Sequence, residues 1–429
     1  MLIVKCHIKP LFMKKHLLII AVLFPVMLLS CQQQKAFPSA AEQLNSQWRG
    51  ENRDGMYLNE TGLLKSWPAD GPQLLWHFDG LGEGYTSAAI ANGKIYITGL
   101  SDDKLWLYAL DLKGQLLAKK EISKEWQQGH DGPRSTVCVN DGKLYIYNAL
   151  GQLFCLDEAT LGEVWTKDLF TDFDGQSIPW GVTESPLIVG EKLFMTPGGA
   201  VNNMVALNKN TGELIWSSSG EGTISAYCSP QYIDDQSVPM VVTSTFDYII
   251  AWNADTGEKL WSFPRTSRYN NHPNTPLYHQ GLIFSTTGDG APAVMLRLTN
   301  GGKAVEIVWE NPELDTQLGG AVKTGDYVYA SGHTNRFWFC IDWNTGETKH
   351  KVRDIAACNV VFADGMLYCY SERGTMNLVK PNPDNNEFEL VSSFNVTLGD
   401  GTHWAHPVIY QGVLYLRHGN TLMAYKISK

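Results

Sequence analysis

The chain has 429 residues, 44% of them apolar and 18% charged, which is ample material for a large core, and its length alone permits two or three domains. Its formal charge of −10 comes from dispersed acids, and no Lys/Arg cluster interleaved with aromatics follows the N-terminus, which argues against nucleic acid as a partner. Forty Gly, 14 Trp, 18 Tyr and 16 Phe favour short strands and turns, so an all-β fold is expected.

At the N-terminus, Lys14 and Lys15 precede an apolar run from Leu17 to Leu29, then Ser30 and Cys31. That is the charged, apolar and small-residue order of an export signal. The segment resembles a bacterial lipoprotein signal with Leu28-Leu29-Ser30-Cys31 as its lipobox, although Leu29 is a less usual residue there. A transmembrane anchor is the competing reading, and a run of about thirteen apolar residues is short for a spanning helix. The resemblance implies lipidation at Cys31 and a cell-envelope location at the outer membrane, on its periplasmic or surface face. Residues 1–30 are expected to be the signal, with Met13 as an alternative start, and residues 31–47 a polar tether.

From residue 48 onward the chain repeats. Each unit has a turn ending in Gly, a short strand ending in an aromatic, an alternating strand, then a T-G-E turn and a Trp. The Gly-to-aromatic step reads Gly93 to Tyr96, Gly142 to Tyr145, Gly190 to Phe194, Gly281 to Phe284, Gly325 to Tyr329, Gly365 to Tyr368 and Gly412 to Tyr415. An eighth, degenerate copy centres on Val241-Val242, with Asp234-Asp235 as its turn. A spacing of roughly 45–50 residues suits four strands and their turns, the size of a propeller blade. The closing Trp recurs at Trp165, Trp216, Trp261 and Trp309, and His350 takes its place in the sixth unit. The last unit ends near Lys426 without an outer strand, whereas Gln73 to Phe78 is an outer Trp strand with no blade before it. Residues near 73–78 are therefore expected to complete blade eight, giving an eight-bladed β-propeller of four-stranded antiparallel blades over residues 48–429, closed by an N-terminal outer strand and able to stand as a monomer. Cys138, Cys155, Cys228, Cys340, Cys358 and Cys369 match no zinc or redox spacing, so buried thiols are expected, with a Cys358–Cys369 bridge left open.

The repeat, with Leu110-Asp111, Leu156-Asp157, Leu207-Asn208 and Ile341-Asp342 as its third-strand signature, resembles the pyrroloquinoline-quinone (PQQ)-type propeller repeat of the quinoprotein alcohol dehydrogenases. Trp48-Arg49-Gly50-Glu51-Asn52-Arg53-Asp54-Gly55 lies at the start of the same match. The resemblance implies two alternatives. One is an oxidoreductase holding PQQ over a ring of two adjacent cysteines, with Ca²⁺ and a catalytic Asp beneath. The other is a non-catalytic propeller lipoprotein related to the outer-membrane barrel-assembly propeller. No two cysteines are adjacent in this chain. Glu184 and Asp289 are candidate oxygen ligands or catalytic acids, although neither aligns to a dehydrogenase position, and a surface Glu and a turn Asp are the plainer readings.

With strands lettered A to D outward, A–B and C–D turns fall on one face, and B–C turns and D–A connections on the other. The first face carries generic turns. The second carries Tyr85, His130, Arg134, Trp180, Glu184, Tyr227, Arg268, Asn271, His272, His333, His403, Trp404 and His406, expected to ring the mouth of the central channel as a funnel. Aromatic faces beside amides and guanidinium groups suit a carbohydrate or another polar small molecule. The reading is thus an envelope-anchored propeller that binds such a ligand, or an assembly scaffold with an envelope protein partner. The alternative is a PQQ-dependent or other carbohydrate or alcohol oxidoreductase working in the same funnel.

Overall fold

Within each unit the two middle strands are apolar on both faces and the last strand on one. In the second unit, Lys143–Tyr147 and Gln152–Asp157 are buried along their lengths, whereas Glu163–Asp168 buries Trp165 and exposes its flanking residues. Middle strands are thus sandwiched between neighbouring sheets and outer strands form the rim. The computed structural model describes residues 46–382 and 387–429. The lipobox at Cys31, the signal and the tether up to residue 45 lie outside the described residues.

Eight sheets form, each antiparallel through its four blade strands. The innermost strands are Ala89–Ala91, Cys138–Asn140, Leu187–Val189, Gln231–Ile233, Leu277–His279, Ala321–Thr324, Cys358–Ala363 and Val408–Tyr410. The degenerate fourth copy is a full blade, with Met240–Ser244 as its second strand. Closure follows the expected path: Leu74–Phe78 pairs antiparallel with Thr421–Lys426, placing Trp76 opposite Ala424 and Phe78 opposite Leu422.

The structure explains why T-G-E and Trp occur together in the repeat. The Gly of the turn and the Trp of the preceding blade touch each other. A Cβ on Gly114, Gly212, Gly257 or Gly346 would come within 2.5–2.8 Å of the ring of Trp76, Trp165, Trp216 or Trp309 respectively. Each of these Trp Nε1 groups also donates to a carbonyl just before that glycine, on Leu112, Lys209, Ala254 and Trp343. Blade five lacks the turn signature, and among the described residues Trp261 of blade four has no partner for its Nε1. In the sixth blade, His350 packs edge-on against Phe388 of the seventh at 4.7 Å.

One feature lies outside the repeat. Met56–Tyr57 pairs parallel with Phe362 and Ala363, adding a fifth strand inside blade seven. The preceding residues reach the innermost region of several other blades. The Val139 amide donates to the Ser46 carbonyl, Arg49 donates to the carbonyls of Gly319, Val360 and Ala321, and Arg53 donates to those of Ser185 and Pro186. A segment that bonds to blades two, three, six and seven at once occupies the channel they surround. All six described cysteines are buried free thiols, so Cys358 and Cys369 are not bridged, and Trp338 Nε1 donates to Cys358 Sγ at 3.0 Å.

Candidate functional site: the funnel

A cavity of about 480 Å³ opens where the D–A connections and B–C turns converge. Tyr85, His130, Arg134, Trp180, Tyr227, Asn271, His333, Trp404 and His406 line it together. Its floor is Trp48 of the channel segment, edge-on to His406 at 5.2 Å, with the guanidinium groups of Arg49 and Arg53 5.7 and 6.0 Å from the Trp48 ring. One wall is an aromatic group in which Trp404 lies 5.2 Å from Tyr85 and 4.9 Å from His130. Elsewhere in the lining, Trp180 lies 5.9 Å from Tyr227 at 33° and is 40% exposed. Between them stand amides: Asn274 donates to the Thr316 carbonyl at 2.6 Å, and Asn359 holds the Trp404 carbonyl at 2.8 Å, fixing that ring from behind.

Arg134 is braced over Tyr85 at 5.7 Å and Trp126 at 5.9 Å, and it donates to the backbone of Gly129, His130 and Gly132. Beneath Trp126, Glu125 accepts from the amides of Trp126 at 2.7 Å and Ala149 at 3.0 Å, and burial pushes its carboxyl up to about 7.

Five of the sequence candidates stand elsewhere. Glu184 is not a surface group: it is 4% exposed and accepts from the Thr196 amide at 2.9 Å, and burial pushes its carboxyl up to about 8 against the opposing pull of Thr196 and Arg53. His272, 1% exposed, lies 2.8 Å from Thr287 Oγ1 and 3.2 Å from the Phe246 carbonyl, and burial with the nearby Arg265 drives it down to about 4. His403 stacks on His418 at 3.6 Å and bonds the Tyr370 hydroxyl at 2.6 Å, and burial and His418 lower it to about 4. These three side chains hold loops together. Arg268 is exposed and stacks on its own neighbour Tyr269. Asp289 sits in a turn at φ 62°, its Oδ1 3.9 Å from His333 Nε2. Parity of the strands selects the loops that line this cavity but not which way each side chain points. Trp48, Arg49 and Arg53 carried a signal as the aromatic and arginine-rich run ahead of the first blade, outside any repeat.

The donor set does not fit PQQ with a cation. A planar polycarboxylate needs free cationic donors, whereas Arg134, the guanidinium in the cavity lining, is engaged by the carbonyls of Gly129, His130 and Gly132, Arg49 and Arg53 next to Trp48 are occupied by other backbone carbonyls, and the cavity wall carries Glu372. The six thiols are buried, and among the described residues no three His, Cys, Asp or Glu side chains gather as a cation site.

A family model described as "Outer membrane protein assembly factor BamB" matches residues 103–233 and 179–382. The chain is 30% identical over 194 residues to the outer membrane protein assembly factor BamB of Shewanella oneidensis, covering 42% of this chain and 45% of that protein. It is 21% identical over 342 residues to the quinoprotein alcohol dehydrogenase PedH of Pseudomonas putida, covering 72% of this chain and 56% of that one. The chain thus spans about half the length of these curated relatives. The crystal structure of BamB from Moraxella catarrhalis superposes with a TM-score of 0.61 at 12% identity, over 83% of this chain and 99% of that one, and a europium-containing methanol dehydrogenase does so with 0.56 at 14%, over 81% and 85%. Both structural likenesses show the fold alone. With the family model spanning more than half of the residues, the chain belongs to the PQQ-repeat propeller family described as outer membrane protein assembly factor BamB.

Proposed function

We propose that this protein is a non-catalytic propeller of the cell envelope, lipid-anchored at Cys31, that serves outer-membrane protein assembly as a scaffold and takes a carbohydrate in its funnel. One observation carries this reading: the chain's own residues 46–57 fill the channel, and over the Trp48 floor that they provide stand Trp180 and Trp404, with amide and hydroxyl groups between the rings. Ring faces can cover the apolar face of a pyranose while Asn271, Asn274 and Gln317 meet its hydroxyls. Neither a nucleophile–base pair nor a cation cluster accompanies these groups among the described residues.

A thermal-shift series on the full chain in detergent tests the ligand, with neutral oligosaccharides in one arm and PQQ with and without Ca²⁺ in the other. At about one hundred times Kd a ligand of the folded state adds roughly 2.7 kcal/mol, a readable shift. Oligosaccharide stabilisation is expected, weakened by Trp180→Ala and Trp404→Ala. A Ca²⁺-dependent shift with PQQ instead overturns the reading in favour of an oxidoreductase. The scaffold role is tested by the level of outer-membrane β-barrel proteins in cells lacking the protein. Unchanged levels count against it.

A further inference from the structure

We propose a second binding site, selective for a phosphate group, in the recess between blades six and seven. The recess has a volume of about 360 Å³ and lies on the funnel face. It is lined by Arg336 from the B–C turn of blade six, Arg353 from the connection between the blades, and Arg373 from the B–C turn of blade seven. In a chain of net charge −10, three guanidinium groups converging on one hollow stand against the general balance.

The recess is built rather than incidental. Its polar base includes Ser371, 1% exposed, and Asn377, 4% exposed. The Ser371 hydroxyl oxygen accepts from the Thr375 amide at 3.0 Å, which leaves its own proton to donate. Arg353 is held 4.3 Å over the Phe337 ring, which positions the guanidinium without engaging its N–H groups. Arg336 is paired with Glu372. Among the described residues, Arg353 and Arg373 have no hydrogen-bond or ion-pair partner. Asp354 is the one acid on the wall, so the lining is cationic even with Arg336 neutralised.

Guanidinium forks bind phosphate through paired, charge-assisted hydrogen bonds, which a lone ammonium cannot reproduce. The hollow is larger than a free phosphate ion needs, so its occupant is a phosphate monoester or diester with an attached group. A soluble sugar phosphate and a phospholipid headgroup share that chemistry.

Calorimetric titration of the full chain in detergent with inorganic phosphate and with glucose 6-phosphate gives the first arm. Flotation of the Cys31→Ser chain, which lacks the proposed anchor, with phosphatidylglycerol vesicles, against phosphatidylcholine vesicles, gives the second. Saturable binding in either arm is expected, stronger for glucose 6-phosphate than for phosphate alone, and weakened by added salt. The Arg353→Gln/Arg373→Gln double variant should weaken it by about tenfold or more. Arg297→Gln, an exposed arginine on blade five, should leave it unchanged. Absence of binding in both arms overturns the proposal, as does equal affinity in a double variant whose melting temperature matches that of the parent. Trp180→Ala and Trp404→Ala alter the funnel only, so loss of sugar binding there leaves this result separate.

Discussion

Replacing Gly257 with alanine should destabilise the protein through two separable causes. Gly257 has φ 76°, a left-handed conformation costing an L-residue about 1–2 kcal/mol. The added Cβ would also lie 2.6 Å from Trp216 Cε3 and 2.8 Å from its Cδ2, closer than a carbon contact allows, so the ring must move at an overpacking cost of about 1–3 kcal/mol. Together these give a loss of roughly 2–5 kcal/mol. Trp216→Ala alone should cost about 3–5 kcal/mol. With the ring removed, however, Gly257→Ala has room and should cost only its backbone share of about 1–2 kcal/mol. Urea unfolding followed by far-UV circular dichroism on both single variants and the double variant measures the difference. Gly93→Ala, at φ 72° with nothing within 4 Å of the new carbon, calibrates the backbone share. A coupling of about 1–3 kcal/mol is expected. Effects that add to within about 0.5 kcal/mol would refute the interlock between turn and ring.

Arg49→Met should lower stability by about 3 kcal/mol or more, because the carbonyls of Gly319, Val360 and Ala321 lose their donor, each at roughly 1–3 kcal/mol; denaturation midpoints that match the parent would contradict a plugged channel. Glu184→Gln tests the buried carboxyl by pH. Its folded value of about 8 exceeds the ordinary 4.5, so the folded state holds the proton longer, and this group's contribution to stability falls as pH rises from about 4.5 to 8. His272 and His403, lowered to about 4, act oppositely, favouring the fold as pH rises from about 4 to 6.5. The informative quantity is the parent-minus-variant difference in unfolding free energy, from urea titrations at pH 5 and pH 8, which should show Glu184→Gln gaining relative stability at the higher pH by a few kcal/mol; a flat difference refutes the raised value. Removing residues 48–80 takes away the channel segment and the outer strand of blade eight together and should abolish cooperative unfolding, and a melting temperature equal to that of the full chain would rule out both assignments.

The propeller is readable from sequence because its two strongest demands leave residues behind. A left-handed turn needs Gly, as at Gly212 and Gly257, and a gap between blades needs a large ring, as at Trp165 and Trp216. Even the weak fourth copy is legible, since Asp234-Asp235 turns the chain between Gln231–Ile233 and Met240–Ser244. The channel segment occurs once and holds itself by arginine side chains bonded to backbone carbonyls, which exist at every residue and select no partner sequence. The funnel was legible as a set of loops, because strand parity decides the face. Within those loops Trp180 and Glu184 lie four residues apart, yet one ring opens to solvent and the other side chain is buried under Thr196. That difference is set by packing from neighbouring blades, which no local pattern records.

The strand pair that closes the ring joins Leu74–Phe78 to Thr421–Lys426. Time enters through that separation. At a synthesis rate of about 5–20 residues per second, roughly 20–70 s pass between the appearance of the first strand and that of its partner. During that interval the Leu-Leu-Trp-His-Phe strand has an unpaired edge, the kind of surface on which chains associate wrongly. Seven blades can assemble while the last remains open, so the arrival of Thr421–Lys426 decides when the molecule becomes safe from its neighbours.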